Sequence, residues 1–380
     1  MASDSGLPVI PLVDLRAAFA PVREQAMREF EAILDRMDLF LGPNLRAFET
    51  EFAAYCGVAH GIGVSNGTDA VFAALKACGV GPGDEVIAPA HTFFATIEAI
   101  VHTGAMPVLV DAEPDCLTID VSQIRVAITS ATKAIVPVHL YGHPADMDPI
   151  VEVARQHGLW VVEDAAQAHG ARYKGRRCGS LGDVAAFSCY MTKNLGAVGE
   201  AGFIGTSNVE LAERVRLLRH HGHVSKFEHR ICGYNLRMDE LQAAVLRLKL
   251  PGLDAGNRRR REIAAAYSAR FAGSPVRVLA SKPQAEPAFH VFAIRVPERD
   301  ALRDALTEQG IETGIHYLVP GFRQPALQTV PHRHLDMQVT EDACRELLSL
   351  PIYPSLTDEQ VDYVASAVLG FFEEGRDPLP

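Results

Sequence analysis

Between about residues 57 and 206, short apolar runs alternate with segments whose apolar positions recur at helical spacing. The runs are DEVIAPA (84–90), MPVLVDA (106–112), KAIVPVHL (133–140), LWVVEDAA (159–166), VAAFSC (184–189) and GFIGT (202–206). Strands that are apolar almost throughout are buried on both faces, which predicts a mostly parallel sheet between two helix layers. DAVFAALKACG (69–79) and MDPIVEVARQHG (147–158) have helical periodicity and stop at glycine. The alternation predicts a βαβ architecture.

Further on, MDELQAAVLRLKLPGLDAGNRRRREIAAAYSARF (238–271) reads as a long helix interrupted at Pro251, and its stretch LQAAVLRLKL offers an apolar face to a partner subunit. The texture then changes. Short strands are expected at FHVFAIRV (289–296) and ETGIHY (312–317), with amphipathic helices at RDALRDALTEQG (299–310) and DEQVDYVASAVLGFF (358–372). The chain of 380 residues exceeds the size at which a single core stops growing. The expected division is a large α/β domain over residues 1–250 and a smaller α+β domain over 251–380.

Composition narrows the class. A hydrophobic fraction of 48% and a charged fraction of 22% are those of a soluble globular protein. The N-terminus has no basic and apolar leader pattern, and no run reaches the ~20 apolar residues of a bilayer span, so the expectation is a cytoplasmic protein without a membrane partner. A net charge of −11 argues against nucleic acid as a general partner. Seven scattered cysteines without a CxxC pair suit reduced thiols rather than disulfides or a zinc site. His220, His221 and His223 read as a helix-end or interface cluster, and no metal is expected. Arg258 to Arg261 read as a solvated or subunit-facing run.

In an open α/β sheet, ligands bind beyond the carboxyl ends of the strands. SNGTDA (65–70) places Gly67 and Thr68 at a helix start, where free amides suit an anion or simply a cap. HTFFAT (91–96) offers Phe93 or Phe94 as a flat apolar shelf or as core. Asp164 ends the strand LWVV, as a cap or as the partner of a protonated ring nitrogen. Lys193 follows the fifth run, VAAFSC, beside GAVGEAG, in a chain where only seven of 36 basic residues are lysine. It is either a solvated loop lysine or a desolvated amine that attacks an aldehyde. An anion cradle, an aromatic shelf, a carboxylate and a lysine at the strand ends of one sheet are together what pyridoxal phosphate needs.

The chain also resembles the DegT/DnrJ/EryC1/StrS family of nucleotide-sugar aminotransferases, which are fold-type I pyridoxal-phosphate enzymes. The likeness runs from IPLVDLRAAF and LGPNLRAFETEFAAYCG through NGTDA, GPGDEVIAPAHTFFAT, VEDAAQAHGA, FSCYMTKNLGAVGEAG and GYNLRMDELQAAVLRLKL to GIETGIHY and LLSLPIYPSLTDEQ. It implies that Lys193 carries the cofactor as a Schiff base and shuttles protons, that Asp164 pairs with the ring nitrogen, that Gln167 lies near the ring hydroxyl and that Phe93 stacks on the ring. Gly67, Thr68 and Ser188 would hold the phosphate, completed by Asn235 from the partner of a homodimer. Tyr190, Arg237, His316 and Tyr317 fall where members touch the nucleotide sugar. Leu318 and Phe322 replace the family's usual proline and histidine, and Cys189 stands where an aromatic is usual, which sets the sugar side apart.

The expected activity is transfer of an amino group from glutamate or a similar donor to a keto group of a nucleotide-linked deoxysugar, with dTDP and C3 preferred. Phe322 would make one pocket edge apolar, and Arg323 and Arg237 would meet the diphosphate. The alternatives are a sugar dehydratase, which in this family has a histidine in place of Lys193, and a cofactor-binding regulatory protein without turnover. No GxGxxG turn supports a nicotinamide enzyme.

Overall fold

A computed structural model describes residues 9–374. Seven strands form the body of one sheet: β1 (His60–Val64), β2 (Glu85–Pro89), β3 (Met106–Val110), β4 (Thr132–Ile135), β5 (Trp160–Asp164), β6 (Val184–Ser188) and β7 (Gly202–Thr206). All six predicted runs are strands, and the short run before Ser65 adds β1. A separate three-stranded sheet is formed by β8 (Arg277–Val278), β9 (Phe292–Arg295) and β11 (Leu347–Leu350), while β10 (Arg333–His334) joins the large sheet as its eighth strand. The large sheet runs β1-β7-β6-β5-β4-β2-β3-β10. Only β7 is antiparallel to its neighbours.

The reason these strands are apolar at successive positions is visible in where they point. Ile87, Val108, Val161 and Phe187 face one core, whereas Val86, Leu109, Val162 and Ala186 face the other. Helices α1 (Arg23–Arg36), α2 (Pro43–Cys56), α3 (Gly67–Ala77), α4 (Phe94–Thr103), α5 (Met147–His157), α6 (Val209–Arg219) and α7 (Glu240–Lys249) surround the sheet. The first face is covered by α2, α5 and α7 through Phe48, Phe52, Ile150, Val153 and Leu246. The second is covered by α3, α4 and α6 through Val71, Ile97, Leu211 and Val215. Of α7, Ala243 and Leu246 pack into this core, while Leu241 and Leu248 are only partly buried.

One long-range contact fixes α7 against α2. The α2 helix starts at Gly42-Pro43, where the N-cap glycine has no side chain to cap it. The buried Glu240 supplies the cap from 198 residues away, accepting the Gly42 and Leu45 amides at 3.1 Å and the Asn44 amide.

The long helix breaks as expected: α7 ends in a 3-10 turn at Leu250–Gly252, and α8 (Leu253–Phe271) continues. A third core gathers Tyr267 and Phe271 of α8, Phe292 and Ile294 of β9, Leu348 and Leu350 of β11, Leu302 and Leu306 of α9 (Arg299–Glu308), and Val364 and Val368 of α10 (Asp358–Glu374). Two segments cross the expected division at residue 250. Ile10 packs into this third core and its amide donates to Gly310 O at 2.9 Å, while β10 returns to pair with β3. ETGIHY is not a strand; Gly314 and Ser349 alone form a bridge there. The arginine run is not solvated throughout: buried Arg260 donates to Ile352 O at 2.5 Å, and Arg259 donates to Leu356 O at 2.8 Å.

Candidate active site

Because all strands but one run the same way, their carboxyl ends share one edge, and a cavity of about 870 Å³ lies there. The segments around His290 and His316 close it from the side of the third core.

The start of α3 forms one wall. Asn66 Oδ1 accepts the Asp69 amide at 2.8 Å, and Asn66 Nδ2 donates to Asp69 Oδ2 at 2.7 Å. This cap leaves the first-turn amides of Gly67 and Thr68 without intrahelical partners, so capping and anion binding coexist here. Ser188, the last residue of β6, lies against the turn. A Cβ on Gly67 would stand 2.5 Å from the Ser188 Cβ, so only glycine allows this approach.

The structure separates the two phenylalanines. Phe94 packs toward the core under α3 and α4, whereas Phe93, at the N-cap of α4, is 58% exposed in the cavity wall. Its ring lies 5.9 Å from that of Tyr317. An aromatic left open beside a cavity has no core role to explain it.

Asp164 ends β5 and is 5% exposed. Its Oδ2 accepts from Thr96 Oγ1 at 2.7 Å and its Oδ1 from the Ala166 amide at 3.1 Å. Burial pushes its carboxyl up, which the Thr96 bond and the Lys193 charge oppose. Lys193 sits in the loop between β6 and β7, held by its amide to Tyr190 O at 2.8 Å. Its side chain is half-buried, and desolvation brings the amine down to about 8 against the pull of Asp164. A solvated loop lysine would not be lowered.

Gln167 lines the cavity with both ends of its amide engaged. Its Oε1 accepts the Tyr141 amide at 2.5 Å and its Nε2 donates to Tyr317 Oη at 3.0 Å. Tyr190, His316 and Tyr317 also line the space. His316 Nδ1 is 2.9 Å from Ser349 Oγ, and burial lowers its imidazole to about 4.

Two predicted residues stand outside this chain's cavity. Asn235 is exposed beyond it. Arg237 lies over the Phe40 ring at 4.7 Å and meets His220 Nδ1 at 2.9 Å. Phe322 stacks near His334, with centroids 4.8 Å apart, and Arg323 pairs with Glu341, so neither lines the cavity. Phe322 therefore does not make an edge of this cavity apolar. Among the described residues no group of three or more His, Cys, Asp or Glu is arranged for a metal.

Sequence reasoning missed His290, Thr92 and Thr96. His290 Nε2 lies 3.4 Å from Lys193 Nζ, and its Nδ1 is buried without a hydrogen-bond partner among the described residues. The segment FHVFAIRV, in which His290 precedes β9, carries no local sign of this. Thr96 was within HTFFAT, but its hydroxyl gains meaning only from Asp164, 68 residues away.

The residues present fit pyridoxal phosphate on these observations: the glycine-only approach at Gly67, the open face of Phe93, the buried carboxylate that favours a cation opposite it, and the desolvated lysine. Such a wall at the carboxyl edge of this sheet defines a pyridoxal-phosphate enzyme of fold type I. The chain belongs to the DegT/DnrJ/EryC1/StrS aminotransferase family, whose model matches residues 21–369. It is 46% identical over 369 residues to the dTDP-3-amino-3,4,6-trideoxy-alpha-D-glucose transaminase of Streptomyces venezuelae, covering 97% of each chain. It is 43% identical to the UDP-N-acetyl-3-dehydro-alpha-D-glucosamine 3-aminotransferase of Acidithiobacillus ferrooxidans, covering 94% of this chain and 97% of that one. The crystal structure of S. venezuelae DesV in complex with a ketimine intermediate superposes with a TM-score of 0.94 at 46% identity, covering 96% of this chain and 99% of that one. The protein is thus an aminotransferase that depends on pyridoxal phosphate.

Proposed function

We propose that this aminotransferase moves an amino group from glutamate or a similar amino acid to a keto carbon of a dTDP-linked deoxysugar, at C3 rather than C4. The observation that carries the reading is the single cavity in which the desolvated Lys193 amine and the buried Asp164 carboxylate share one wall. Relatives named for 3-amino and 3-dehydro sugars support the position, and two of those names carry dTDP.

Bound pyridoxal phosphate supplies an aldehyde for the donor's amine and a ring that withdraws electrons from the reacting carbon. Gly67, Thr68 and Ser188 would hold the phosphate, Phe93 would cover the ring, and Gln167 would meet the ring hydroxyl. Asp164, as an anion, keeps the ring nitrogen protonated. Lys193 Nζ would hold the cofactor in the resting enzyme. The Lys193 Nζ would also carry the proton that moves during amino transfer, a task suited to an amine near neutrality. Tyr190, His316 and Tyr317 orient the nucleotide sugar.

In the same reading the enzyme is a homodimer in which Asn235 and Arg237 of one copy enter the other's cavity. Each is placed away from its own cavity, whose walls include Asp69, Glu98 and Glu200 but no arginine among the described residues. A sugar diphosphate entering such a wall needs cations from elsewhere.

The test is incubation of the purified enzyme with glutamate and a panel of 3-keto and 4-keto nucleotide sugars, with products identified by mass and NMR. The 3-keto dTDP-deoxysugar is expected to give the highest kcat/KM. A higher value for the 4-keto sugar overturns the regiochemistry, and inactivity on every member overturns the substrate class.

A further inference from the structure

Asp164 is joined to the protein interior by two threonines that nothing above assigns a role. Thr96, 1% exposed, is in the first turn of α4 and Thr92, 5% exposed, just precedes its N-cap; their Oγ1 atoms are 2.9 Å apart. Thr96 Oγ1 is 2.7 Å from Asp164 Oδ2. Proton counting fixes the direction of this chain. An ionised carboxylate only accepts, so the one hydroxyl proton of Thr96 goes to Asp164. Thr96 can then only accept from Thr92, whose proton points inward along the same line. With the Ala166 amide on Oδ1 at 3.1 Å, both carboxylate oxygens receive donors.

We propose that Thr92 and Thr96 are positioning residues that keep Asp164 ionised and aimed at the cofactor's ring nitrogen, which rests on the reading of Asp164 given above. The physical need is clear from the burial. A carboxyl group removed from water tends to keep its proton, and a neutral acid would not hold a protonated ring nitrogen. The other groups facing Asp164 do little to replace the hydroxyls. Lys193 is largely committed to the cofactor when it is bound, His139 is tied to Glu163 at 2.9 Å, and Tyr317 is an uncharged phenol whose own ionisation burial opposes. Hydrogen bonds donated in series polarise one another, so Thr92 strengthens the bond Thr96 makes. Thr92 lies just before the extended N-cap Phe93 and Thr96 in the first turn of α4, and this turn into the helix brings both hydroxyls together beside the end of β5.

The experiment uses the enzyme loaded with pyridoxal phosphate carrying nitrogen-15 in the ring, whose chemical shift reports protonation of that nitrogen. Thr96→Val keeps the shape and removes the donor; Thr96→Ser keeps the donor. Thr96→Val is expected to lower the ring nitrogen's titration midpoint by about one unit or more and to weaken cofactor binding about tenfold, as loss of one hydrogen bond to a charged group implies. Thr96→Ser should stay within about twofold of the parent in binding and keep its midpoint. Thr92→Val should move both readouts in the same direction by less, and supplies the answer if Thr96→Val fails to fold. An unchanged midpoint in both valine variants overturns the proposal, as does a serine variant that shifts as far as valine, since shape rather than the hydroxyl would then matter. Asp164→Asn separates the two levels. If it leaves the midpoint unmoved, the reading of Asp164 fails and the proposal falls with it.

Discussion

Lys193 of the cofactor-free protein should react with acylating reagents near neutral pH far more readily than a surface lysine. An amine with the ordinary value of 10.5 is only about 0.03% unprotonated at pH 7, whereas one at about 8 is about 9% unprotonated, a ratio of about 300. The cause is desolvation in the cavity wall, and the largest opposing influence is the Asp164 charge, which favours the ammonium. The perturbation is Asp164→Asn. It removes the anion and leaves the desolvation, so the midpoint should fall further below 8 rather than rise. Competitive labelling with trace acetic anhydride, followed across pH by mass spectrometry of the peptide carrying Lys193, measures the midpoint directly. Lys174, whose ammonium is paired with Asp148 and held above its ordinary value, is the internal reference. A Lys193 midpoint at or above that of Lys174 would refute the desolvation argument. A rise in the Asp164→Asn variant would refute the sign of the coupling.

Mixing inactive Lys193→Ala subunits with inactive Asn235→Ala subunits should restore part of the activity, because a hybrid dimer contains one intact site; no recovery, or a fully active monomer in sedimentation, would contradict shared sites. Glu240→Ala should destabilise the fold by about 2–4 kcal/mol in denaturant unfolding, since it uncovers buried amides at the start of α2. A loss below about 0.5 kcal/mol would show that the long-range cap is dispensable.

The chemistry was legible where it depended on local order. Gly67, Phe93, Asp164 and Lys193 each follow a strand, and a parallel sheet brings such positions to one edge without further information. The misreadings share a different cause. LQAAVLRLKL is apolar at several positions, but the sequence does not say which of them the chain's own core takes: Ala243 and Leu246 enter it, and Leu241 and Leu248 stay partly exposed. GFRQ following GIHY invited Phe322 and Arg323 into the cavity, yet the chain turns away there: Arg323 meets Glu341, and Phe322 packs beside His334.

The sequence by itself determined the two-sided burial of the strands, the helix stops and the line of reactive groups, because these follow from side-chain periodicity and from residues adjacent in the chain. Only the tertiary structure decided that His290 reaches Lys193 across 97 residues, that Thr96 reaches Asp164 across 68, and that Glu240 caps α2 across 198. It also decided that Asn235 and Arg237 stand clear of their own cavity. Contacts of this kind depend on strand order and on how helices cross the sheet. Those are settled by the packing of whole layers, where one side chain's neighbours come from distant parts of the chain, and no local pattern of apolar and polar residues encodes which ones meet.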